Sequence, residues 1–60
     1  MMKDLPQDPV MLYSLLNTLL RDSYPSLAAL CEDRELSEKD LLYRLSEAGF
    51  SYDRDRNRFV

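Results

Sequence analysis

The stretch G49-F-S-Y-D-R-D-R-N-R-F-V60 decides how the chain ends, and with it the fold. Phe50 and Tyr52 lie two apart, so an extended backbone puts them on one side. Phe59 follows in a second short run, after D53-R-D-R-N57. Asp and Asn bond their own local backbone and tolerate positive φ, which favours a turn. The segment over 50–60 therefore reads as a β-hairpin turning near 54–57. It carries Arg54, Arg56 and Arg58, and two readings stand for these arginines. They are a basic finger for a nucleic-acid backbone, or they keep soluble the edge of a lid whose aromatics cover a core.

Upstream, D8-P-V-M-L-Y-S-L-L-N-T-L-L-R-D22 predicts a helix with its cap over 8–22. Asp8 suits the N-cap and Pro9 the first helical position, where its missing N–H costs nothing. Leu12, Leu15, Leu16 and Leu19 recur at helical spacing. Pro25 disfavours helix at Tyr24, and Ser26 caps a second helix over 26–35. Ser37 opens a third over 37–48, with Asp40 three residues on, a shortened capping box. Gly49 suits the left-handed position that ends it. Residues 1–7 read as a tail, with Leu5 and Pro6 able to pack back. The expected fold is one small, mainly α domain: three short helices and a C-terminal β-hairpin. Its outline is helix-turn-helix or winged-helix-like, which concerns shape and not activity.

Sixty residues with 45% hydrophobic and 32% charged content suit one folded domain. So short a chain buries only about 60% of its unfolded surface and needs help to be stable. One cysteine, Cys31, and no histidine exclude an internal disulfide and a structural N/S zinc site. Dense packing and self-association remain. No apolar run nears the roughly 20 residues of a membrane span, and no signal-peptide pattern is visible in M1-M-K-D-L-P-Q-D-P9. A lone cysteine then fits the reducing cytoplasm.

The net charge is −3, and only 51–60, with +3 and −2, is net positive. Phosphate backbones demand several cations per site. Lys39 and Arg44 on the third helix are joined there by Glu38, Asp40 and Glu47. A nucleic-acid reader would have to use Lys39, Arg44, Arg54, Arg56 and Arg58, which makes it the alternative reading. Catalysis has little to draw on. There is no Ser/His or Cys/His pair and no glycine-rich phosphate loop, and adjacent acids such as Glu32 and Asp33 do not face one another on a helix. No catalytic residue and no cofactor are assigned.

The first helix is richer in apolar residues than a surface helix requires. Leu12, Tyr13, Leu15, Leu16, Leu19 and Leu20 span an arc of about 160°, against the ~100° stripe of an ordinary amphipathic helix. Val10 and Met11 fall outside even that arc. Either this helix is the centre of a small core, or one flank pairs with another chain, Met11 with Leu15 or Tyr13 with Leu20. Exposed apolar patches mark interaction sites, and a twofold homodimer is their commonest use. Tyr43 is a solitary surface aromatic or a further anchor for a partner. Cys31 reads as core filling against a redox or ligand role. Asn17, Thr18, Arg21 and Asp22 read as a structural corner against a small polar recognition site. The expected function is protein contact, with a second copy or another protein.

These motifs also resemble a family. Asp8, Pro9, Met11 and Leu12, then Asn17, Thr18, Leu20, Arg21 and Asp22, then Ser26, Leu27, Leu30 and Cys31, and finally Gly49, Tyr52, Asn57 and Phe59 stand as in a group of short bacterial proteins, domain-of-unknown-function family 4250. Arg58 departs from that pattern, in which glutamine is more frequent. The resemblance covers nearly the whole chain and implies a domain without implying an activity.

Overall fold

Each helix begins at a side chain that satisfies one of its orphan amides. In the computed structural model, which describes residues 5–60, the Asp8 carboxylate accepts from Val10 N–H at 2.9 Å and Pro9 opens helix α1, Pro9–Asp22. Ser26 Oγ accepts from Ala29 N–H and starts α2, Leu27–Arg34. Ser37 Oγ accepts from Asp40 N–H and starts α3, Glu38–Ser46. Such caps contribute about 1 kcal/mol each. Strands β1, Tyr52–Asp53, and β2, Arg58–Phe59, then pair antiparallel, Tyr52 with Phe59 and Asp53 with Arg58.

The third helix is shorter than its sequence pattern suggests. It ends at Ser46, and residues 47–49 form a turn. Gly49 N–H donates to Ser46 O at 3.0 Å, and Phe50 N–H to Leu45 O at 2.9 Å, with Gly49 at φ 89. This is a Schellman ending, so the glycine acts as expected but after one looser turn. Helix α2 ends the same way with no glycine. Leu36 N–H reaches Cys31 O at 2.8 Å, and Glu35 takes the left-handed position at φ 58. That lets a three-residue connection turn the chain into α3.

The core is a single cluster in which every element except β1 takes part. Leu12, Leu16 and Leu20 of α1, Leu27, Leu30 and Cys31 of α2, Leu41 and Leu45 of α3 and Phe59 of β2 are all buried. Phe59 is 0% exposed, the largest side chain wholly removed from water. Leu5, Tyr13, Leu19, Tyr24, Leu36, Phe50 and Tyr52 pack around it. The hairpin is thus a lid, as the aromatic spacing implies. Of the predicted tail, Leu5 and Pro6 are held against the body, with Arg44 Nη2 donating to Pro6 O at 2.8 Å. Residues 1–4 of that tail lie outside the described residues.

The packing corrects one expectation about α1. Leu20 is 3% exposed and belongs to the core, so it cannot present a face to another chain. Its carbonyl is bonded by Asn57 of the hairpin, 37 positions away in sequence. Cys31 is a free, buried thiol, consistent with core filling. Its pKa is raised, first by burial and then by the Glu38 carboxylate. No helix among the described residues is long and apolar enough to cross a membrane.

Two backbone substitutions should act in opposite directions. Glu35→Gly removes a left-handed strain of about 1 kcal/mol and should raise the urea midpoint. Gly49→Ala introduces such strain where nothing stands within 4 Å of the added methyl, and should lower the midpoint by a similar amount. A second expectation concerns pH. A thiol whose folded pKa is raised stabilises the protein fully below the ordinary thiol range, and that contribution is lost as pH rises through the raised value. Urea midpoints measured from neutral to alkaline pH should therefore fall less steeply for Cys31→Ala than for the wild type. Parallel curves would refute this.

Candidate functional site

Strand β2 is held to α1 by a side chain that behaves like a third strand. Ser51 and Val60 exchange both backbone bonds, at 3.0 and 2.8 Å. The next pair, Tyr52 and Phe59, is therefore a non-hydrogen-bonded pair whose peptide groups point away from one another. Phe59 is left with its N–H and C=O on the outer edge of a two-stranded sheet. Asn17 satisfies both. Its Oδ1 accepts from Phe59 N–H at 2.7 Å, and its Nδ2 donates to Phe59 O at 3.1 Å. A carboxamide has the donor and acceptor of a peptide group, so it can close the ladder in place of a strand.

Asn57 does comparable work at the corner between α1 and α2. It sits in the left-handed region at φ 55, and its Nδ2 donates to Leu20 O at 3.2 Å and to Tyr24 O at 2.9 Å. Leu20 O belongs to the last turn of α1, where carbonyls lack helical partners. Asn57 Oδ1 accepts from Tyr52 Oη, which itself accepts from Leu27 N–H at 3.1 Å. One relay thus joins the start of α2, the hairpin and the end of α1. Asp53 shapes the turn, its Oδ1 accepting from Asp55 N–H and Arg56 N–H at 3.0 and 3.2 Å. Tyr24 closes the corner from outside, donating to Asp33 and accepting from Arg34 Nε at 3.0 Å.

Two surfaces are left over. The first is the solvent side of α1. Met11 is 59% exposed, and Leu15, one turn on, is half-buried outside the core cluster; Val10, 56% exposed, stands at the start of the helix on the Tyr13 side. The opposite flank is covered: Tyr13 stacks on Phe50 with ring centroids 4.2 Å apart. Of the two flanks offered by the helical wheel, the hairpin takes Tyr13 with Leu20 and leaves Met11 with Leu15. Tyr43 stands apart on α3, 64% exposed.

The second surface is a pair of clefts beside the hairpin, and they divide its arginines. Arg56 and Arg58 line an open cleft of about 540 Å³ against Asn17, Thr18 and Arg21 of α1. Arg54 lines another, of about 550 Å³, with Pro25, Ala28, Leu42 and Glu38. The three arginines therefore do not form one strip, because the four-residue turn reverses the chain between them. Arg44 is committed to Pro6 O. Lys39 is exposed on α3 beside the equally exposed Asp40. Arg21 makes two bonds to its neighbour Asp22, at 2.9 and 3.2 Å. The hydrogen bond from Arg21 chiefly holds the Asp22 carboxyl below the ordinary range; desolvation opposes it, and the Arg21 charge adds the least. Among the described residues no group of three or more His, Cys, Asp or Glu is arranged to hold a metal ion.

The sequence missed the partners of Asn17 and Asn57. Asn57 carried a turn signal, but Asn17 lies 42 residues from Phe59, and no local pattern foretells that bond.

A family model described as Domain of unknown function (DUF4250) matches residues 6–59. The chain belongs to this family. The matched span of the DUF4250 model runs from Pro6, which receives the Arg44 bond, to Phe59, which the Asn17 clasp holds. Neither a curated protein nor a solved structure was found to match the chain.

Removing the clasp should loosen the lid before it unfolds the domain. Asn17→Ala leaves two peptide groups of a buried residue without partners, at a cost of about 1–3 kcal/mol. Amide exchange at Phe59 should accelerate by more than the global destabilisation explains, while the amides of α2 follow global stability. Equal acceleration at all sites would show that the clasp has no separate local effect.

Proposed function

We propose that this protein is a non-catalytic interaction domain of the cytoplasm that self-associates through the uncovered flank of α1. The observation that carries this reading is the exposure of Met11 beside a half-buried Leu15, one turn on, on a helix whose Tyr13 packs against the core on the other flank. Domains this small gain stability by association. A twofold axis through the middle of α1 lays the two helices antiparallel. Ser14, small and exposed, then allows close approach near the axis. The helix dipoles are then opposed.

The available surface bounds the affinity. A helix of 14 residues is about 21 Å long. A typical stable interface removes about 800 Å² from each partner, a large share of the 4256 Å² total surface. One helix flank provides less than that, so the dimer is weak and micromolar at best. Tyr43 lies outside this contact and remains available to a different protein.

The alternative is a winged-helix-like nucleic-acid binder using the hairpin arginines. In its favour are Arg56 and Arg58 meeting Arg21 at one cleft. Against it are the engagement of Arg44 and the separation of Arg54 into the other cleft. Titration of labelled mixed-sequence DNA at low salt tests this reading, which needs saturable binding lost with Arg56→Gln.

Sedimentation over a dilution series should give a mass rising from monomer towards dimer, and Met11→Glu should hold it at monomer with unchanged circular dichroism. Leu20→Glu is unsuitable because it unfolds the core. Ser14→Cys should yield an oxidised dimer at protein concentrations where an exposed Glu47→Cys does not. A monomer at all concentrations, or equal crosslinking at both positions, would eliminate the α1 interface.

A further inference from the structure

We infer that the cleft between the end of α1 and the hairpin turn is a binding site for a small phosphate-bearing anion, independent of any self-association. Arg21 comes from the last turn of α1, and Arg56 and Arg58 from the hairpin 35 or more positions later, and all three line the same open cleft. Thr18 and the half-buried Asn17 and Asn57 complete the polar lining. Guanidinium groups arriving from two elements suit an anion with several acceptor edges, because each presents a planar fork of N–H donors.

The donors are available. Arg58 makes no side-chain hydrogen bond or ion pair among the described residues. Arg56 has only a long contact to Asp53, 3.8 Å between Nε and Oδ2, with its side chain 72% exposed. Arg21 is paired with Asp22, but both are open to water, where such pairs are held weakly. Asn17 commits one Nδ2 hydrogen to Phe59 O, leaving the second of the two that a carboxamide carries. Asn17 and Asn57 are themselves anchored to backbone, so the polar base of the cleft is set in advance.

Charge decides the size of the ligand. Asp22 and Asp53 sit beside the arginines they contact without lining the cleft, and Asp55 follows on the exposed turn. A single phosphate group in the cleft meets guanidinium, hydroxyl and carboxamide groups and no carboxylate of the lining. A polyanion continuing outward passes these carboxylates on a chain of net charge −3, which opposes it. A carboxylate offers a single two-oxygen edge, where a phosphate offers several to forks arriving from different directions. The shared chemistry is therefore a terminal phosphate, whether free or as the monoester of a small molecule.

The test is a titration of the full chain, isotopically labelled, with sodium phosphate and separately with glycerol 3-phosphate at constant ionic strength. The readout is the Nε–H signals of the arginines and the side-chain amide of Asn17. Saturable shifts at Arg21, Arg56, Arg58 and Asn17, with Arg54 unmoved, are expected. If glycerol 3-phosphate saturates at lower concentration, the site takes the monoester; if inorganic phosphate does, it takes the free anion. Arg58→Gln and Arg21→Gln should each weaken binding about tenfold, and Arg54→Gln less than about twofold. All three side chains are on the surface, so unchanged circular dichroism is expected of each variant, and Arg58→Gln alone suffices if Arg21→Gln fails to fold. Shifts that rise linearly without saturation, an equal response to sodium acetate, or equal weakening by Arg54→Gln would each overturn the site. So would mixed-sequence DNA moving Arg54 and Lys39 together with the three.

Discussion

The domain depends on the burial of Phe59 under a two-residue strand. A pair of two-residue strands is far below the size that holds together in water, so the hairpin exists because α1 accepts it. The apolar ring supplies the driving force, since a fully buried Phe contributes about 1.5–3 kcal/mol relative to exposure. The ring could not go in without its own peptide group, which lies on the strand edge facing α1. Asn17 resolves that conflict by offering the edge a substitute peptide. Apolar burial and polar satisfaction are thus met at one residue.

From that contact the remaining geometry follows in order. Seating Phe59 brings Tyr52 and Asn57 to the corner between α1 and α2, where they bond the open amide of one helix and the open carbonyl of the other. It also brings Phe50 over Tyr13. The lid therefore decides which side of α1 stays wet. Met11 stays exposed, and Leu15 only half-buried, on the side away from Tyr13. The same seating carries Arg56 and Arg58 up to Arg21 and leaves Arg54 on the far side of the turn. Both the proposed interface and the proposed anion site are thus consequences of where one aromatic ring is placed.

Much of the architecture was legible because its causes are local. Asp8, Ser26 and Ser37 each bond an amide two or three residues ahead, and the helical spacing of leucines reports the buried face directly. Asp53 and Asn57 set the turn through contacts of the same short range and a left-handed φ. The end of the third helix was less legible. A glycine signals where a helix must have ended, and the last turn before it loosened at Ser46. The left-handed Glu35 had no signal at all, since glutamate rarely takes that conformation. The candidate residues fared according to their partners. Met11 and Tyr43 are as open as their wheel positions suggested. Leu20, which the same wheel left at the margin of the buried arc, was claimed by the core.

The residues alone were enough to set three helices, their starts, a closing hairpin and an alternation of aromatics that made it a lid, because each of these rests on steric and hydrogen-bonding preferences within a few positions. They also left α1 with more apolar surface than one face can hide. Which flank would be hidden, that Asn17 would serve as a strand, and that Arg21 would join Arg56 and Arg58 while Arg54 would not, depended on contacts across 35 or more positions. Such contacts have no local preference to announce them. They arise when the whole chain closes around Phe59 and every buried peptide group must find a partner in the space that remains.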